Sequence, residues 1–162
     1  MKRRLWLIPL SILAVFLDAF VLPSLFANGF RPLFVLSLAL AATAAIKVQD
    51  GMLIAFFGGL LSDLFFNPYL GLSAAAYLTA TAILYGFLRK TGSVRALVIP
   101  FAAIAAAAAE LLIFGFSLAI GARFDAMRLL SATLPSIVLE ALLVYPLSAL
   151  LRNREKGSVF VR

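Results

Sequence analysis

Long apolar runs fill this chain, each broken by a short step containing polar residues, Gly or Pro. The breaks fall at Asn28-Gly29 with Phe30-Arg31-Pro32, at Lys47-Val48-Gln49-Asp50-Gly51, at Asn67-Pro68-Tyr69-Leu70-Gly71, around Arg89-Lys90 to Arg95, and from Gly121 to Arg128. No run alternates apolar and polar residues with the period of two that a barrel strand needs, so helices are expected. The spacing predicts six, over about residues 5–27, 32–47, 51–66, 70–88, 97–120 and 129–151, with a charged tail at 152–162. The second is short for a bilayer core of about 30 Å, and Lys47 would reach the interface by snorkelling.

Composition turns these helices into membrane spans. Hydrophobic residues make up 64% of the 162 and charged residues 13%, against about 45–50% and 25% in soluble domains. A core of this size has no room for so much apolar surface, so lipid must solvate it. The fold class expected is an all-α polytopic membrane protein, one integral domain over 1–162. Lys2-Arg3-Arg4 followed by an apolar run looks like a signal peptide. The run is longer than a signal core and lacks a clear cleavage site before Asp18, so it reads as a retained first helix.

Charge then sets orientation. With six spans and the N-terminus inside, the cytosolic basic residues are Lys2, Arg3, Arg4, Lys47, Arg89, Lys90, Arg95, Arg152, Arg154, Lys156 and Arg162. Only Arg31, Arg123 and Arg128 fall outside. The positive-inside rule therefore puts both termini in the cytosol. The net charge of +7 belongs to these loops and an anionic lipid surface, not to nucleic acid.

Four acids lie within the apolar runs: Asp18, Asp63, Glu110 and Glu140. Counted from the expected cytosolic ends at 1.5 Å per residue, all four sit about 17–20 Å deep. An acid at a span centre costs about 2.5–3.5 kcal/mol, and no Lys or Arg shares that depth. The cost falls by protonation, by hydrogen bonds to hydroxyls or free backbone groups, or by a partner's cation. The layer therefore reads either as a polar cavity for a solute or proton, or as glue between helices.

Small residues mark the packing. Gly58, Gly59 and Ala55 sit on the third helix, Gly71 and Ala74 to Ala76 open the fourth, and Ala102 to Ala109 dominate the fifth. In lipid such residues let helix backbones approach one another. They fit internal packing or a partner helix. Enzymatic signatures are missing: there is no His and no Cys, no phosphate-binding loop and no paired catalytic aspartates in an intramembrane setting. No cofactor, metal or catalytic residue is expected.

The central hairpin carries a family resemblance. Gly29-Phe30-Arg31-Pro32 precedes the second helix, Gly59-Leu60-Leu61-Ser62-Asp63 ends the third, and Pro68-Tyr69-Leu70-Gly71 leads into a helix with Tyr77 and Gly86. In this order the motifs resemble MreD, the bacterial rod shape-determining membrane protein, best over about residues 28–90. Leu33 stands where many members carry an acid. The resemblance implies a non-enzymatic scaffold of the elongasome, which builds the side wall. It also implies MreC as direct partner and, through the complex, MreB, RodA and a class B penicillin-binding protein. Gly58, Gly59, Asp63, Gly71 and Tyr77 are then candidates for a partner interface or packing, while Asp18, Glu110 and Glu140 have no assigned role. The span layout also resembles the S components of vitamin transporters, which implies a similar six-helix bundle and the alternative of a small-solute-binding component.

Overall fold

The computed structural model of the protein describes residues 7–21, 33–66, 69–91, 97–119 and 126–157. The basic run Lys2–Arg4, the Asn28–Pro32 turn, Asn67-Pro68, Arg95 and Arg162 lie outside the described residues. All ordered elements among those described are helical. α1 (Leu7–Phe16) continues as a π-helical turn, Leu17–Val21. Then come α2 (Phe34–Ala45), α3 (Val48–Phe66), α4 (Leu72–Thr91), α5 (Val98–Ala119) and α6 (Ala126–Gly157). Four contain stretches long and apolar enough to cross a bilayer: Val48–Phe65, Leu72–Thr91, Val98–Ala119 and Thr133–Asn153. α1 and α2 are apolar but shorter.

α2 is the hub. Its 12 residues rise about 18 Å, too little to span the bilayer. Every residue from Val35 to Thr43 is buried, and the helix packs against each of the other five. A helix that is apolar or small on all sides needs neighbours on all sides, and the run LSLALAATAA has no polar face to turn outward. Around it α3, α4, α5 and α6 follow one another as packed neighbours, while α1 lies against α2 and α3.

Alanine fills much of the interior, beside the larger Leu36, Leu38, Leu40 and Tyr77. The interior holds Ala39, Ala41, Ala42, Ala55, Ala76, Ala80, Ala102, Ala105, Ala106 and Ala109. Phe16, Phe20, Phe57, Phe65, Leu111, Leu134, Leu142 and Leu150 point away from the protein. In water that arrangement would be ruinous. In lipid, large side chains outside meet an equally apolar solvent, and small ones inside allow close backbone packing.

The second break is shorter than the expected Lys47–Gly51 loop. α3 begins at Val48, and the N–H groups of Asp50 and Gly51 both donate to the Lys47 carbonyl. Asp50 thus sits in the first helical turn, where its charge meets the positive end of the helix dipole. Gly51 is a site of close approach: a Cβ there would run into the Thr43 hydroxyl and the Ala39 carbonyl. At its other end the hairpin continues past the expected Leu88. Arg89 and Lys90 form the last turn of α4, where cations complement the dipole.

Candidate functional site

A helix that starts inside a membrane exposes N–H groups that no water can satisfy. At the starts of α2 and α4, acids of the apolar runs supply the missing acceptors. The N-cap position of α2 is Leu33, whose side chain makes no capping hydrogen bond. Instead the Phe34 N–H donates to Asp18 Oδ1 at 2.8 Å and the Val35 N–H to Asp18 Oδ2 at 3.0 Å. The Leu33 N–H donates to Glu140 Oε1 at 2.9 Å. Two carboxylates, one from the π-helical end of α1 and one from the middle of α6, thus cap one helix start from outside it.

The same device recurs at α4. Gly71 precedes the helix with φ +97°, a left-handed conformation that glycine adopts without steric penalty. Its carbonyl accepts from the Ala75 N–H, so Gly71 is the N-cap but has no side chain to close the turn. Asp63, on the last turns of α3 and fully buried, supplies it. The Gly71 N–H donates to Asp63 Oδ2 at 2.8 Å. The Ser73 N–H donates to Oδ1 at 2.9 Å and to Oδ2 at 3.1 Å. One carboxylate therefore ties the end of α3 to the start of α4.

The glycines ahead of Asp63 bring the two helices together. A Cβ at Gly59 would lie 2.5 Å from Ala74 Cα and 2.7 Å from its backbone nitrogen. At Gly58 it would lie 2.5 Å from Val35 Cγ1. Gly58 and Gly59 are both buried, one against α2 and the other against α4.

Tyr77, 1% exposed, sits at the centre of the layer. Its hydroxyl lies beside that of Ser62 and within electrostatic reach of Asp18, Glu140 and Glu110. Ser37 joins from α2, donating to the Leu33 carbonyl at 3.2 Å and to the Glu140 backbone carbonyl at 3.4 Å. Glu140 Oε2 is buried and has no hydrogen-bond partner among the described residues. Glu110 is only partly buried. It lies on α5, whose outward residues include Leu111, Leu112 and Phe116.

The structure therefore brings Asp18, Glu110 and Glu140 within reach of Tyr77, while Asp63 caps the start of α4. Sequence reasoning located the acids but not the amides they hold. It also missed the burial of Asp50 and the part played by Ser37. For Asp50 the available signal was an acid in a first helical turn. Among the described residues no group of three His, Cys, Asp or Glu side chains could hold a metal ion.

Comparison with protein families gives one match: the family model of the rod shape-determining protein MreD covers residues 2–154. No curated protein and no solved structure matches.

Proposed function

The chain belongs to the MreD family of rod shape-determining proteins, and on that premise we propose that it is a non-enzymatic scaffold of the side-wall elongation machinery. In this reading it sits in the inner membrane with both termini cytosolic. It binds MreC directly and, through that complex, links MreB filaments to RodA and a class B penicillin-binding protein. The observation that carries the non-enzymatic reading is how the membrane acids are used. Asp18, Asp63 and Glu140 hold backbone N–H groups at helix starts, which is a structural task.

The faces around Gly58 and Gly59 are taken up inside the protein. That supports placing the MreC contact elsewhere, on α5. There Ala103, Ala107 and Glu110 are half-buried and Gly115 is open, so a partner helix could approach closely. A donor on that helix would meet the Glu110 carboxyl, which has no hydrogen-bond partner among the described residues. In lipid such a bond is worth about 0.6–2 kcal/mol.

The test is co-purification with MreC from membranes in mild detergent, for the wild type and for Ala107→Phe and Gly59→Ala. Capture by the wild type and loss with Ala107→Phe supports the reading. Loss with Gly59→Ala alone would return the contact to α3. No capture of MreC, together with rods that stay rods when the gene is depleted, would overturn the scaffold.

A further inference from the structure

At the end of the bundle away from the acid layer, three helices leave a cleft of about 170 Å³ between them. Ala44 near the end of α2, Val98 at the start of α5, and Tyr145, Ser148, Arg152 and Asn153 on the last turns of the α6 span line it. We propose that this cleft binds the phosphate headgroup of an anionic phospholipid.

Size, chemistry and position agree. A cavity of about 150 Å³ accepts a ring as large as benzene, so a phosphodiester fits. Arg152 offers a planar set of donors matched to phosphate oxygens. Among the described residues it has no ion-pair partner, and the Asn153 amide and the Tyr145 hydroxyl have no hydrogen-bond partner. Val98, the first residue of α5, lines the cleft, so the positive dipole end of that helix lies near it. Ser148 donates to the Tyr145 carbonyl at 2.8 Å, so its hydroxyl hydrogen is held within α6 and the donors to the phosphate are those of Arg152, Asn153 and Tyr145.

The walls also decide between a lipid and a free anion. The cleft is half apolar, and outside it Leu142 and Leu150 are exposed on α6. A molecule with a phosphate and acyl chains satisfies both halves. The cleft lies at the α6 end of a span, Thr133–Asn153, at the depth where headgroups sit. The inference needs only the membrane placement, not the scaffold reading.

The experiment is native mass spectrometry of the purified full chain in detergent, titrated with phosphatidylglycerol, phosphatidylcholine or inorganic phosphate. The wild type should retain one phosphatidylglycerol at concentrations where phosphatidylcholine is lost. Arg152→Ala should weaken that binding on the order of ten-fold. Ala149→Leu, which fills the cleft from an exposed position, should weaken it similarly while leaving every basic residue in place. Equal retention of the two lipids, or unchanged binding in both variants, overturns the site. Inorganic phosphate that binds as well as the lipid and displaces it overturns the lipid assignment and leaves a free-anion site.

Discussion

Replacing Asp63 by Ala removes the acceptor for two N–H groups at the start of α4 and puts nothing in its place. Ser73 is buried and Gly71 half-buried, so water does not fully replace the lost carboxylate. Each stranded donor costs about 1–3 kcal/mol. Loss of a negative charge at the positive end of a helix dipole adds about 0.3–1 kcal/mol. The sum is roughly 2–7 kcal/mol, and the upper half of that range is a large fraction of the stability of a domain this size. Asp63→Asn keeps one acceptor oxygen but brings an NH₂ toward amides that are themselves donors, so it should lose roughly half as much. Unfolding in mixed micelles of rising dodecyl sulfate fraction measures the difference. Hydrogen exchange of the amides of Gly71 and Ser73 locates it, because only those amides and the turn after them should open. An Ala variant within about 0.5 kcal/mol of wild type, with exchange at Gly71 and Ser73 unchanged, would refute the capping argument.

Three further outcomes follow from the same geometry. Gly59→Ala forces a Cβ against the Ala74 backbone, which cannot rotate away, and should cost about 1–3 kcal/mol; Gly86→Ala, with open space around it, should be neutral or stabilise by up to about 1 kcal/mol, and melting of the two variants side by side checks the contrast. Asp18→Ala should raise exchange at Phe34 and Val35 specifically and lower stability by about 2–5 kcal/mol; equal protection of those two amides in variant and wild type would remove Asp18 from the cap. Glu140→Gln keeps an acceptor for the Leu33 N–H and should stay within about 1 kcal/mol of wild type, whereas Glu140→Leu strands that donor and should lose about 1–3 kcal/mol. A Gln variant that folds normally but no longer supports rod growth in complementation would give the Glu140 carboxyl a proton-carrying role instead.

Much of the architecture was legible because lipid simplifies the code. Apolar runs and Gly or Pro breaks place helices in order, and α3 to α5 lie within three residues of their expected bounds, whereas α6 starts three residues early and runs on to Gly157 through half of the expected charged tail. The interior of the bundle was less legible. α2 has small or apolar residues all round, so periodicity assigns it no buried face, and only the packed structure shows it as the centre. Asp18, Asp63 and Glu140 stood out as acids at an improbable depth. What they bind could not be read, because the partners are backbone amides, which every residue carries and no sequence marks. Leu33 illustrates the point: a local cap is missing there, and carboxylates distant in sequence replace it. Gly59 and Gly71 were singled out together, yet for different reasons. One is an approach point between backbones and the other a residue with positive φ, and composition alone does not separate them. The headgroup cleft was invisible for a similar reason, since it exists only where the ends of three helices meet.

The bond from the Leu33 N–H to Glu140 spans 107 positions of the chain. At about 5–20 residues per second, the ribosome needs about 5–20 s to supply the second partner after the first has emerged. Through that interval the start of α2 has only Asp18 to hold it, and the side of α2 that α6 will cover is open. The newborn protein is thus an incomplete ring with its central helix waiting, and its last span acts as the latch. A chain stopped before α6 would present this exposed helix start to the quality-control proteases of the membrane, so completion of synthesis and closure of the core are one event.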